Sequence, residues 1–115
     1  MAGSSQESKL DIGKIKELAL KDKLAFKKHT VLRMRQRKIT ADEVKKALQG
    51  CKIIEDYPED RPFPSGLVLG YTENNRAVHA VIATDETEEM LWIITVYEPT
   101  ILEWKEGFEK RRKER

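Results

Sequence analysis

Apolar residues recur along this chain in two rhythms, and the change between them falls near its middle. Ile12, Ile15, Leu18 and Ala19 lie three or four positions apart behind Asp11, whose side chain suits a cap, so the spacing predicts a first helix over residues 11–21. KLAF at 23–26 alternates over too few residues to separate a connector from a short edge strand. From His29 to Lys38, Val31, Leu32 and Met34 sit among basic residues in an order that only a helix sorts to two sides. Thr40 and Glu43 form a T-x-x-E capping box ahead of Val44, Ala47 and Leu48, and Gly50 supplies the stop, which predicts a third helix.

After Cys51 the period falls to two. CKIIEDY reads as a strand, and DYPEDRPFPSG, with three of the four prolines, interrupts it. GLVLGYT and RAVHAVIAT flank the turn ENN as a hairpin, DETEE turns again, and MLWIITVY, apolar on both faces, is expected at the centre of the sheet. Residues 100–113 carry Ile101, Leu102, Trp104 and Phe108 at helical spacing before EKRRKER, which predicts a last helix with its cations at the end the backbone dipole favours. The expected class is α+β, with N-terminal helices, then an antiparallel sheet of three to four strands, then a basic C-terminal helix. At 115 residues the chain is expected to form one domain over 9–115 behind a disordered leader at 1–8.

Composition narrows the function classes. Hydrophobic residues make up 39% and charged residues 37%, polar for a globular protein, yet the apolar positions are gathered into periodic segments rather than diluted. Cys51 is the single cysteine, so an intramolecular disulfide and a multi-thiolate zinc site are excluded. Two histidines do not complete a zinc site without carboxylates, and neither metal nor cofactor is expected. No apolar run is long enough to span a bilayer or act as a signal peptide, which predicts a cytoplasmic location without membrane partners. The net charge of +2 hides an asymmetry: residues 21–38 carry eight basic groups against one acidic, residues 105–115 six against three, and residues 65–104 one against seven. Sorting of this kind presents a basic face to phosphates, and equally describes solvated helix faces.

The segments KHTVLRMRQRKITADEV, IIEDYPEDRPFPSGLVLGYT, RAVHAVIA and IITVYEPTILEW carry an H-x-x-x-R-x-x-x-R helix, a D-Y-P loop, a His-bearing strand and T-V-Y-E-P in that order. Over residues 23–112 this pattern resembles the family known as domain of unknown function 4258. That family in turn resembles small RelE-like and BrnT-like toxins of type II toxin-antitoxin systems. The resemblance implies a RelE-like, microbial ribonuclease-like fold, cleavage of messenger RNA, and an antitoxin protein as partner.

Metal-free RNA cleavage needs a base for the 2′-hydroxyl, cations for the phosphate and an acid for the leaving oxygen. His29, Arg33 and Arg37 stand at i, i+4 and i+8, one helix face with an imidazole beside two guanidiniums; the bland account is a capping histidine with arginines paired to acidic residues. His79 sits mid-strand between apolar neighbours, where burial would keep it neutral as a proton acceptor, or simply make it a satisfied core histidine. Tyr97 alternates with Thr95 and can share its face. The candidate catalytic set is therefore His29, Arg33, His79 and Tyr97, with Lys28, Arg37, Arg61, Arg111 and Arg112 as candidate RNA contacts. Asp56 and Tyr57 accompany Arg61 in the proline-rich loop, and Cys51 reads as a small buried apolar residue. A non-catalytic RNA- or protein-binding module uses the same basic face. An exposed sheet edge or the terminal helix could equally pair with a partner or a second copy of the chain.

Overall fold

The computed structural model describes residues 10–85 and 87–113; the leader expected at residues 1–8 lies outside them. Three helices come first, interrupted by one short strand: α1 (Ile12–Leu20), β1 (Leu24–Phe26), α2 (Lys28–Gln36) and α3 (Ala41–Gln49). Four strands follow: β2 (Lys52–Tyr57), β3 (Ser65–Tyr71), β4 (Ala77–Asp85) and β5 (Met90–Tyr97).

Local chemistry sets the helix starts. The Asp11 carboxylate accepts the backbone N–H groups of Gly13 and Lys14 at 2.9 and 3.3 Å. At α3 the capping box closes in both directions, with Glu43 N–H donating to Thr40 Oγ1 at 3.1 Å and Thr40 N–H donating to Glu43 Oε1 at 2.9 Å. α2 lacks a side-chain cap and ends where Lys38 turns to a positive φ of 60°.

The five strands form one mixed sheet in the order β1-β5-β4-β3-β2, antiparallel except that β1 runs parallel to β5. KLAF is thus an edge strand, and the sheet has five strands rather than three to four. β4 is the central strand; β5 lies second from the edge, and β1 covers it only from Leu91 to Ile93. Beyond that point α2 takes over as the cover of the β5 edge: Thr30 Oγ1 donates to the Ile94 carbonyl at 2.7 Å, and an Arg37 N–H donates to the Val96 carbonyl at 2.6 Å. Strand carbonyls that would otherwise lack a neighbour are satisfied in this way.

All three helices pack on one face. Ile15, Leu18, Val44, Ala47 and Leu48 meet Val68, Val78, Ala80, Ile82, Leu91, Ile93 and Val96 in a single apolar core. α3 approaches β3 so closely that a Cβ on Gly70 would lie 2.2 Å from the Ala47 carbonyl oxygen, so that position admits only glycine.

The other face is covered in part by residues 100–113, where the expected basic C-terminal helix is replaced by turns and a Trp104–Arg111 bridge. Gly107 at φ 91° and Phe108 at φ 62° reverse the chain, and Lys105 N–H donates to the Lys110 carbonyl across the reversal. Trp104 is buried to 1% against the sheet, while Ile101 and Leu102, which gave the segment its helical spacing, stay 61% and 84% exposed. Burying an indole removes roughly 150–250 Å² from water, and this gain together with a left-handed glycine outweighs the helical alternative.

Candidate functional site

Cross-strand register builds the site on the face opposite the helices. His79 on β4 lies directly opposite Tyr97 on β5 and Leu69 on β3; one step along, Val81 stands between Leu67 and Thr95, with Glu55 at the end of that row. His79 is wholly buried. Its Nε2 lies 2.9 Å from the Phe108 carbonyl oxygen and its Nδ1 3.1 Å from the Tyr97 hydroxyl. A carbonyl can only accept, so Nε2 carries the proton and the Nδ1 lone pair receives the Tyr97 O–H. The Trp104 indole meets the imidazole edge to face at 4.4 Å between ring centroids.

Burial pushes the His79 pKa below its ordinary value, against a smaller opposing pull from the Phe108 carbonyl and the Glu55 charge, so the ring is a neutral acceptor. Desolvation likewise raises the Tyr97 hydroxyl. Arg111 makes a two-pronged contact with Glu55 at 2.8 and 3.1 Å, and its guanidinium stands 4.7 Å above the Trp104 ring. Tyr57 also donates to Glu55, and burial followed by that carboxylate pushes the phenol up to about 12. Tyr57, Asp60, Tyr97 and Arg111 border a cleft of about 410 Å³ floored by Leu67 and Val81. A wider hollow of about 720 Å³ adjoins it past Arg111, with Lys105 and Lys110 on its rim.

The candidate residues separate into three groups. His79, Tyr97 and Arg111 come together. His29, Arg33 and Lys28 stand exposed on α2, where no salt bridge or side-chain hydrogen bond to a described residue engages them. The third member of the expected ridge, Arg37, turns inward to the Val96 carbonyl, so the ridge ends in a structural contact rather than a third open guanidinium. Arg61 donates to the Glu59 and Asp60 carbonyls within its loop, and Arg112 to the Ile101 carbonyl. Tyr57 closes β2 rather than lying in the loop. Glu55, Trp104 and the Phe108 carbonyl were not expected at the site; the two-residue spacing of Glu55 and Tyr57 on a strand was the one cue available for the first. Burial pushes the Cys51 thiol up to about 11, which leaves it inert near neutral pH.

With this geometry in place, comparison with protein families matches the chain to the domain of unknown function DUF4258 over residues 26–98. The chain belongs to the DUF4258 family. No curated protein and no solved structure matches it. In this DUF4258 domain the matched stretch begins at Phe26, the last residue of β1, and closes just after β5, so it contains α2, His79 and Tyr97 but not the tail that covers them. Among the described residues, no group of three or more His, Cys, Asp or Glu side chains is placed to hold a metal ion, and no helix is long and apolar enough to cross a membrane.

Proposed function

We propose that this DUF4258 domain is an RNA-directed, metal-independent endoribonuclease of toxin type, with an antitoxin protein as its neutralising partner. The observation that carries the reading is the Tyr97–His79 pair, a hydroxyl bordering an open cleft and backed by a neutral imidazole whose far nitrogen is anchored on a carbonyl. In the proposed step Tyr97 Oη takes the proton of an RNA 2′-hydroxyl as its own proton passes to His79 Nδ1. The 2′-oxygen then bonds to the adjacent phosphorus, and the P–O5′ bond breaks. The 5′-oxygen leaves with the proton returned along the same route, and a 2′,3′-cyclic phosphate remains. Arg111, which borders the same cleft as Tyr97, is the cation for the charge that builds on the phosphate. The exposed side chains of Lys27, Lys28, Arg33, Arg35 and Lys38 along α2 supply a sequence-independent grip on the strand. An acidic segment laid along that helix would neutralise it. Support also comes from the resemblance of the family to RelE-like and BrnT-like toxins, and an α+β fold with a basic helix beside a sheet suits that comparison.

A second reading, RNA binding without catalysis, draws on a specific observation: His79 is wholly buried, with both ring nitrogens engaged. One experiment separates the two. Full-length protein is incubated with single-stranded RNA in EDTA beside Tyr97→Phe. Fragments ending in 2′,3′-cyclic phosphate from wild type, with a loss of about 100-fold or more in Tyr97→Phe, are expected for the nuclease. RNA that stays intact yet is retained, with affinity falling about 100-fold between about 50 and 200 mM salt, leaves the binding module. RNA neither cut nor retained removes both.

A further inference from the structure

One cavity of the same sheet face lies outside the Tyr97–His79 cleft. Its origin is visible in the strand register: Tyr57, Ser65, Ala83 and Trp92 stand side by side across β2, β3, β4 and β5. Two small side chains beside Trp92 leave a trough, because neighbouring strands are only about 4.8 Å apart and nothing at Ser65 or Ala83 rises to fill the gap; Tyr57, beyond Ser65, borders the Tyr97 cleft instead. The proline-rich loop closes one side with Phe63, and the resulting groove holds about 420 Å³. Trp92 and Phe63 are its aromatic walls, Lys27 and Arg61 its cationic rim, and Asp60 and Asp85 its carboxylates.

Each of these groups has a counterpart in one nucleotide. Flat aromatic side chains stack on a base, and the two cations match its phosphate. Lys27 immediately precedes α2, so the groove opens where the basic helix begins. Asp85 is 7% exposed and lies on the Ala83 side of β4, two residues further on, beside the trough. One of its oxygens accepts the Glu88 N–H at 3.2 Å, which orients the carboxylate and leaves accepting capacity on both oxygens. Asp60 is tied instead to the Ser65 hydroxyl. A carboxylate accepts two parallel N–H bonds, and only guanine offers two adjacent donors, N1–H and N2–H, on its pairing edge. Adenine and cytosine set one donor beside an acceptor, and uracil sets one donor between two carbonyls.

We infer that this groove is a guanine-binding subsite, in which Trp92 and Phe63 stack on the base, Asp85 reads its N1–H and N2–H edge, and Lys27 and Arg61 hold the phosphate. The inference deepens the RNA reading and rests on it for the source of the base: a guanosine of the bound strand, seated on the same face as the cleft. Asp60 borders both cavities, which places the groove beside the Tyr97 cleft on one face of the sheet.

The test titrates full-length protein with three 2′-O-methylated oligomers, whose blocked 2′-oxygens cannot be cut: an oligouridylate carrying one guanosine, the same oligomer carrying one adenosine, and plain oligouridylate. The guanosine oligomer is expected to bind about tenfold more tightly than either. Asp85→Asn, which keeps the shape and the oxygen that accepts from Glu88, should erase that preference, and Trp92→Leu should weaken all three complexes about tenfold through lost stacking. A folded circular dichroism spectrum qualifies each variant. Guanosine 5′-monophosphate, followed by quenching of tryptophan fluorescence, tests the groove without the α2 ridge, and retention of the same quenching in Trp92→Leu would assign it to Trp104 and count against the groove. Equal affinity for the three oligomers, together with no response to the mononucleotide, overturns the subsite while salt-dependent RNA binding through α2 stands. Mononucleotide binding abolished by Asp85→Asn, with no RNA retained, keeps the groove and sinks the RNA reading instead.

Discussion

On the helix-covered face of the sheet, Val68, Val78, Ala80 and Ile82 meet Ile15, Leu18, Val44 and Leu48 through apolar contact, whereas on the opposite face an irregular tail engages His79 and Glu55 through directed hydrogen bonds. β4 serves both, its odd and even positions pointing to opposite sides. Apolar contact is non-directional and tolerates exchange among residues of similar volume. A hydrogen-bonded face does not, because each donor needs its own acceptor and a lost partner leaves a buried group unpaired. The first face makes a fold; the second holds particular groups at particular distances, which is what a site requires.

The contrast can be broken most forcefully at Trp104. Trp104→Ala removes the side chain that seats the tail on His79 and should cost about 3–5 kcal/mol in urea unfolding, with the His79 ring opened to solvent. A loss below about 1 kcal/mol would mean that the tail merely lies on the sheet. Next in size is a pair of variants on α2. Arg37→Ala strips the Val96 carbonyl of its donor and should cost about 1–3 kcal/mol, while Arg33→Ala, exposed on the same helix, should stay within about 0.5 kcal/mol and lower RNA affinity instead. Equal effects on stability would dissolve the division between structural and open cations along α2.

The smallest effect is a pH dependence. Burial lowers the His79 pKa from 6.5 in the folded chain, so below that pH the unfolded chain binds a proton that the folded one resists. Stability from the neutral ring is complete above the unfolded value and is lost as the pH falls toward the folded one, with a slope of at most about 1.4 kcal/mol per pH unit. Urea midpoints collected from about pH 8 to pH 5 should therefore drop less steeply in His79→Asn than in wild type. Parallel curves would place the imidazole in a solvated setting and undo the contrast between the faces.

Much of this architecture was legible in the chain itself, for identifiable reasons. The capping box at Thr40, the two hairpin strands around ENN and the sharing of a face by His79 and Tyr97 all depend on neighbours in sequence or on strict alternation. The terminal segment misled because Ile101 and Leu102 mimic a helical stripe, and periodicity does not register that Gly107 can reverse the chain. β1 was undecidable at three residues, since its parallel partner lies sixty-seven positions away. Arg37 looked like its neighbours Arg33 and Arg35, and only the missing strand beside Val96 diverts it.

Read from its residues alone, the chain determined its helices, its strand alternation and the placement of charge along α2, because each follows from local stereochemistry and spacing. The tertiary structure decided the rest: which edge α2 seals, where the tail folds, and which carboxylate meets Arg111. Those outcomes depend on contacts between distant segments, whose free energies are settled when the whole core closes and appear in no single stretch of sequence.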